Sequence, residues 1–354
     1  MGEKILMKGN EAIAESAIRA GCKFFFGYPI TPQSELAAYM SKQMPKIGGT
    51  YLQAESEIAA INMVYGASSA GVRVMTSSSS PGISLKSEGV SYMAGSDLPG
   101  VIVNIQRGGP GLGSIQPSQG DYWQATKALG HGDFQMVVYA PSTVQEMADY
   151  TYRAFDVADK YRTPVMILGD GMLGQMMEPV VLPERKTDFP EKPWATTGHE
   201  NKREHNIVNS LELVAHELED KNNGRYERYA EIIRTEQRAE CVSTDDAEIV
   251  VVAFGASARI ARSAVVSARE KGIKAGLVRP ITLWPFPQDA LSATFKTAKA
   301  YLTVEMNMGQ MVEDVRVVVG DKAPVEFYGR NGGVIPTPKE VLAKIEEMNE
   351  KVGE

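Results

Sequence analysis

The stretch Gln53-Ala54-Glu55-Ser56-Glu57-Ile58-Ala59-Ala60, running on through Tyr65-Gly66, sets a carboxylate at the head of a helix made largely of small residues. The helical pattern covers 57–70 and closes at Gly71. Two readings of Glu57 stay open on this pattern alone. An acid at a helix start is favoured by the helix dipole and needs no function. The functional reading rests on spacing: Gly66 follows Glu57 by nine residues, with small side chains between. Small residues let a helix lie close to its neighbours and leave the leading carboxylate at a sheet edge, where ligands of open α/β folds collect. Glu55, two residues earlier, is the rival acid.

Outward from this helix the chain alternates. Asn10 caps an expected helix that ends at Gly21, and the run 24–26 reads as a short buried strand ending in Gly27-Tyr28-Pro29. A helix is expected over 33–44 and a strongly periodic one over 143–159, with buried strands at 72–76, 101–105 and 165–168. Strands alternating with helices imply an α/β domain over 1–184, a parallel sheet with helices on both faces. Residues 185–246 are charged and Pro-containing and read as a linker or exposed excursion, with a surface-lying helical segment over 208–240. A smaller α/β domain follows over 247–354, with strands at 249–254, 273–278 and 300–304, a turn at Gly255-Ala256-Ser257, and helices over 258–271 and 339–351.

Composition narrows the function classes. The 354 residues are 43% hydrophobic and 23% charged with a formal net charge of −7, so nucleic acid and anionic membranes are not expected as main partners. Two distant cysteines, Cys22 and Cys241, form no CxxC, and an iron–sulfur cluster needs about four thiolates. The four histidines form no HxH or HExxH pattern, so no metal is assigned to this chain's own ligands. The opening MGEKILMKGNEAIAES has no apolar signal-peptide core, and no run approaches the ~18 apolar residues of a membrane span. A cytoplasmic enzyme is the expectation.

Six motifs follow one another in order. They are Gly27-Tyr28-Pro29-Ile30-Thr31-Pro32, the Gln53-to-Asn62 stretch, Ser79-Ser80-Pro81-Gly82-Ile83-Ser84-Leu85, Gln119-Gly120-Asp121, the nonapeptide from Arg279-Pro280-Ile281 to Pro285-Phe286-Pro287, and Val304-Glu305-Met306-Asn307. Together they resemble the alpha subunit of 2-oxoacid:ferredoxin oxidoreductases, over nearly the whole chain apart from the linker. The resemblance implies a thiamine-diphosphate pyrimidine-binding domain followed by a transketolase C-terminal-like domain. Glu57 then matches the family's glutamate that hydrogen-bonds the aminopyrimidine ring, a bond favouring the imino tautomer that takes the thiazolium C2 proton. Its distance to Gly66 fits the family, and that of Glu55 does not.

Thr31 matches a threonine beside cofactor and substrate, although Tyr28-Pro29-Ile30-Thr31-Pro32 also fits a rigid strand-to-helix turn with Thr31 as an N-cap. Arg107 matches an arginine that holds the 2-oxoacid carboxylate, a group suited to a guanidinium fork; a surface arginine on a glycine-rich loop is the plainer alternative. Tyr28, Pro29 and Ile30, with Ser80, Pro81 and Gly82 of the 77–82 loop, match stretches lining the cofactor. Gly169-Asp170-Gly171 imitates the start of the family's diphosphate–magnesium motif, with Asn201 near the right distance. Asn201 lies in the charged linker with no strand before it, so 169–171 reads as a strand-end turn.

The resemblance implies the remaining machinery on other chains. A beta subunit holds the diphosphate and Mg2+, and a ferredoxin-like subunit holds the iron–sulfur clusters. The complex uses coenzyme A, a 2-oxoacid and ferredoxin, and pairs with a second copy of this chain. After Arg107 the loop reads Gly108-Gly109-Pro110-Gly111-Leu112-Gly113-Ser114-Ile115, which resembles the branched-chain 2-ketoisovalerate branch rather than the Pro-Gly-Pro-Ser-Thr-Gly of the 2-oxoglutarate branch. A non-catalytic scaffold subunit and a nucleotide-binding module are the rival classes; Gly255-Ala256-Ser257 is half a phosphate loop at most, with no GxGxxG.

Overall fold

Each short apolar run and each alanine-rich period becomes an element in the computed structural model, which describes residues 3–353. Met1, Gly2 and Glu354, at the outer ends of the two expected domains, lie outside the described residues. The first part of the chain forms β1 (Lys4–Lys8), α1 (Gly9–Arg19), β2 (Phe24–Gly27), α2 (Ser34–Gln43), β3 (Thr50–Gln53), α3 (Glu57–Ser69), β4 (Val74–Ser78), α4 (Ser80–Gly95) and β5 (Gly100–Gln106). It continues with β6 (Val137–Tyr139), α5 (Val144–Tyr161), β7 (Pro164–Asp170), α6 (Gly171–Gln175), β8 (Met177–Val181) and α7 (Ala215–Glu236). The remainder forms β9 (Ala239–Val242), β10 (Ile249–Ala253), α8 (Gly255–Glu270), β11 (Ala275–Pro280), β12 (Thr282–Trp284), α9 (Gln288–Ser292), β13 (Ala300–Glu305), α10 (Met311–Val319), β14 (Val325–Gly329) and α11 (Pro338–Gly353).

The main sheet has seven strands in the order β12-β6-β7-β5-β4-β2-β3. All neighbours are parallel except β12, which runs against β6. β5 sends Val101, Val103 and Ile105 to one face, where Ile13, Ala17, Met147 and Phe155 of α1 and α5 cover them. Ile102 points to the other face, under Ala60, Ile61 and Val64 of α3 and Ile83, Val90 and Met93 of α4. Each of the larger aliphatic and aromatic side chains buried here contributes about 1.5–3 kcal/mol, the alanines less.

α4 is the longest element the sequence reading left out, since it read 77–82 as a loop. Ser79 takes the N-cap position, Pro81 sits in the first turn, and sixteen helical residues follow. The glycines that weakened the helical pattern serve close approach: a Cβ on Gly89 would lie 2.5 Å from Ile61 Cγ2 of α3. Gly66 has no such role within the chain. It is exposed, and a Cβ there would meet nothing within 4 Å.

Three further expectations are corrected. Asn10 does not cap α1, whose N-cap is Lys8; it lies inside the helix, where Nδ2 donates to Pro32 O at 2.8 Å and ties α1 to the loop after β2. Gly255-Ala256-Ser257 is not a free turn but the first turn of α8. The 185–246 segment is partly docked rather than wholly exposed: Thr196 N donates to Ser69 O at 2.8 Å, and α7 buries Tyr229 and Ile232. β1 and β8 pair as a two-stranded antiparallel ribbon that no sequence pattern announced.

The second sheet has the order β14-β13-β10-β11-β9, parallel except for β9. It is welded to the first. β12 joins the main sheet, and Val250, Val252, Phe254, Tyr301 and Met311 belong to the same apolar cluster as α3 and α4. Polar pins reinforce the joint. Gln119 Nε2 donates to Phe254 O at 2.8 Å while its Oε1 accepts from Ser257 Oγ at 2.7 Å and Met306 N at 3.0 Å. Buried Arg279 grips Glu146 with both Nη atoms, at 2.9 and 2.6 Å, and reaches Glu240 with Nε at 2.8 Å. Replacing Arg279 with Met strands Glu146 without its main partner. Urea unfolding of that variant is expected to show a loss of about 3 kcal/mol; a loss below about 0.5 kcal/mol would mean the pin is dispensable.

Candidate active site

Because β2, β3, β4, β5 and β7 are parallel, their carboxyl ends share one edge. The chain leaves β2 outward to β3 and then returns to β4 on the other side of β2, so β2 and β4 flank a switch point, the usual ligand crevice of such sheets. The loop after β2 brings Tyr28, Pro29, Ile30 and Thr31; the step after β3 brings Glu57; α4, after β4, brings Ser80, Pro81 and Gly82; and Arg107 directly follows β5. The sequence-selected residues therefore meet at one edge.

Glu57 is the first residue of α3 and is buried, whereas Glu55 is exposed. Ser56, not Glu57, does the capping: its Oγ accepts from Ala59 N at 3.1 Å. Among the described residues no side chain donates to the Glu57 carboxylate, so the dipole explanation leaves it without a partner. Its wall is flat because position 82 is glycine. A Cβ there would fall 2.6 Å from Glu57 Oε1 and 2.0 Å from Ser78 Oγ. Ser78 Oγ and Ser79 Oγ, both buried, have no hydrogen-bond partner among the described residues. Buried polar groups are normally paired, so this edge is shaped for polar atoms from elsewhere.

Arg107 is buried, not a surface arginine. Nη1 donates to Thr31 O at 3.0 Å and Nη2 to Leu112 O at 3.1 Å, while Nε is buried without a partner. Two of its five N–H groups hold the loops on either side, and the other three make no hydrogen bond among the described residues. Ser80 fixes its backbone: Ser80 Oγ accepts from Arg107 N at 3.0 Å and donates to Asp121 Oδ2 at 2.6 Å, which Asn104 Nδ2 also reaches at 2.9 Å. Burial pushes the Asp121 carboxyl up. Thr31 is exposed at the mouth and is not an N-cap, since Gln33 holds that position in α2. Tyr28 and Pro29 are exposed beside it, with Ile30 half-buried.

Sequence reasoning missed Asn104 and Gln33, whose Oε1 accepts from Ser77 Oγ at 2.6 Å under the β2 loop, and gave Asp121 no role. It also missed Lys86, fully buried on α4. The signal was present: Lys86 falls on the apolar stripe of Ile83, Val90 and Met93, where a lysine needs a reason. Asp170 ends β7 and caps α6, Oδ1 accepting from Met172 N at 2.9 Å and Leu173 N at 3.1 Å; burial pushes it up to about 6. Asn201 is exposed in the linker, well past the end of β8 (Met177–Val181) and on no element.

Residues 15–245 match the family described as pyruvate flavodoxin/ferredoxin oxidoreductase, thiamine-diphosphate-binding, and residues 247–341 match pyruvate:ferredoxin oxidoreductase core domain II. The chain belongs to this thiamine-diphosphate-binding 2-oxoacid oxidoreductase family. It is 51% identical to the ketoisovalerate oxidoreductase subunit VorB of Methanothermobacter thermautotrophicus, over 97% of each chain. It is 38% identical to the 2-oxoglutarate synthase subunit KorA of the same organism, over 99% of this chain and 100% of that one. A solved 2-oxoglutarate:ferredoxin oxidoreductase from Magnetococcus marinus superposes with a TM-score of 0.85 at 29% identity, covering 98% of this chain and 66% of that one. A split-gene transketolase at 16% identity shares the fold, with a TM-score of 0.61. No described helix is long and apolar enough to cross a membrane.

The residues present fit the pyrimidine side of thiamine diphosphate: an unpartnered buried carboxylate, a glycine floor and unpaired serine hydroxyls. Gly82→Ala tests that floor. Its methyl group must displace Glu57 or Ser78, and a shift on the order of 1 Å in a reacting group lowers the rate about 100-fold. Turnover of the assembled enzyme is expected to fall by that order with the melting temperature nearly unchanged; full activity would remove the tight approach from the account.

Proposed function

We propose that this chain is the alpha subunit of a 2-oxoacid:ferredoxin oxidoreductase that converts 2-ketoisovalerate, with coenzyme A and two oxidised ferredoxins, to the branched acyl-CoA, carbon dioxide, a proton and two reduced ferredoxins. The observation that carries this is the buried Glu57 carboxylate, without a donor of its own, at the switch point of the sheet. Thiamine diphosphate held at this edge would supply a nucleophilic carbon for the 2-oxo group and an electron sink for decarboxylation. Glu57 exchanges a proton with the aminopyrimidine nitrogen, and Gly82 lets the ring approach it. Arg107 directs its free N–H groups at the substrate carboxylate, held in place by Thr31 O and Leu112 O. The Thr31 hydroxyl stands at the mouth to donate to a substrate oxygen, and Tyr28, Pro29, Ile30, Ser80 and Pro81 line the cofactor side.

The rest of the reaction belongs to other chains in this reading. Asp170 is occupied in helix capping, so a beta subunit holds the diphosphate and Mg2+. Exposed Tyr28, Leu52, Ile58, Leu85 and Leu112 around the site give that subunit an apolar surface to cover. The open flank of Gly66 on α3 leaves room for another chain or a second copy of this one. Cys22 is buried, with its thiol pushed up to about 12, and Cys241 stands apart from it, so iron–sulfur clusters are placed on a ferredoxin-like subunit. The cytoplasm is the proposed setting. The division into 1–184, 185–246 and 247–354 is retained as part of this reading; the break between the two family matches at 245 and 247 supports its second boundary, while the first match runs through 184 without a break.

The loop 108–116 carries no lysine or arginine to meet a second carboxylate, and it presents Leu112 and Ile115. This favours an aliphatic tail over 2-oxoglutarate, although one methylene discriminates by only about 1–3 kcal/mol. With a viologen acceptor, the purified complex is expected to give a higher kcat/KM on 2-ketoisovalerate than on 2-oxoglutarate; the reverse order would overturn the substrate assignment. In the same complex, Glu57→Ala is expected to lower decarboxylation by at least about 100-fold with the subunits still assembled. Normal turnover would favour a scaffold role.

A further inference from the structure

Lys86 lies on α4 with no exposed surface, in the layer between α4 and α3. A lysine is rarely buried without a carboxylate to pair with, because removing an ammonium from water is costly. Lys86 forms no salt bridge among the described residues. Its one hydrogen bond among the described residues, a long one from Nζ to Glu57 O at 3.5 Å, goes to the backbone of the residue whose carboxylate faces the site. We propose that Lys86 is a positioning residue for Glu57: its buried ammonium anchors the first turn of α3 from behind and is electrostatically coupled to the Glu57 carboxylate. This inference rests on the reading of Glu57 as the cofactor-activating acid and adds the group that tunes it.

The surroundings leave few rivals for the role. Burial pushes the Lys86 ammonium down to about 8, and among the described residues Glu57 is the charged group that works against this. Glu55 and Glu88, near in sequence, are exposed, and Glu88 accepts from Tyr92 OH at 2.8 Å. Asp121, on the far side of Ser80, is held by Ser80 and Asn104. The neighbours of Lys86 on the buried face of α4, Ile83, Val90 and Met93, are apolar, so little else screens the pair. An ammonium that also braces the start of α3 fixes the direction in which Glu57 leaves the helix.

Coupling between two titrating groups is reciprocal, and this makes the test independent of turnover. In the full chain without cofactor, [6-13C]lysine NMR follows Lys86 and [5-13C]glutamate NMR follows Glu57, with signals assigned by their loss in Lys86→Arg and Glu57→Gln. Glu57→Gln is expected to lower the Lys86 midpoint by about 1 pH unit or more, and Lys86→Met to raise that of Glu57 by a similar amount. In the assembled enzyme, the acid limb of kcat/KM then moves to higher pH in Lys86→Met and returns in Lys86→Arg. Unmoved midpoints would overturn the proposal even if Glu57→Gln abolishes turnover. Conversely, shifted midpoints with normal turnover in Glu57→Gln would keep the coupling and remove the reading of Glu57 on which it was built. Should Lys86→Met fail to fold, the Lys86 midpoint in Glu57→Gln decides alone.

Discussion

A carboxylate held inside a protein without a partner is unstable unless something outside the chain satisfies it or a nearby cation offsets the desolvation. Glu57 is such a group, and much of the molecule is arranged around it. Ser56 relieves it of capping duty, Gly82 keeps a side chain from crowding its oxygen, and Ser78 and Ser79 add buried hydroxyls without partners among the described residues. A fold that needed only stability would fill this edge with apolar side chains. Keeping it polar and open is a local sacrifice of the kind found at functional sites.

The parallel sheet makes the arrangement possible. Its strands deliver their carboxyl ends to one edge, so residues 28, 57, 80 and 107 meet although they are far apart in sequence. The second sheet keeps that edge from splaying. β12 extends the main sheet, Gln119 bonds to Phe254, Ser257 and Met306, and two residues further on Asp121 anchors Ser80 and, through it, the backbone of Arg107. The motif Gln119-Gly120-Asp121 thus joins the domain contact to the site. Glu305 and Asn307 belong to the same joint: Glu305 accepts from Met311 N at 2.9 Å and Val312 N at 3.0 Å, and Asn307 Nδ2 bonds to Gln119 O at 2.8 Å.

Much of the fold was legible because hydrophobic period carries it. The strands at 24, 101, 165 and 249 and the helix at 143 stand within a few residues of their expected places. α4 was not legible, since Gly82, Gly89 and Gly95 dilute its apolar stripe; the first two are there for the approach to α3 and Glu57, a tertiary demand that local propensity cannot register. The choice of Glu57 over Glu55 came from family spacing, and burial now separates the two. The packing reason attached to Gly66 did not survive, because that glycine faces outward. Lys86 was readable as a lysine on an apolar stripe, but its meaning depends on α3 lying against α4, which no single helix pattern reveals.

The most direct measurement follows deuterium exchange at C2 of bound thiamine diphosphate in the complex rebuilt with native chain or with Glu57→Gln, in the absence of 2-oxoacid. The account predicts that the cofactor still binds and that exchange slows by about 100-fold or more in the variant. Equal exchange rates with equal cofactor occupancy would contradict it, because the proton at C2 would then be leaving without help from Glu57.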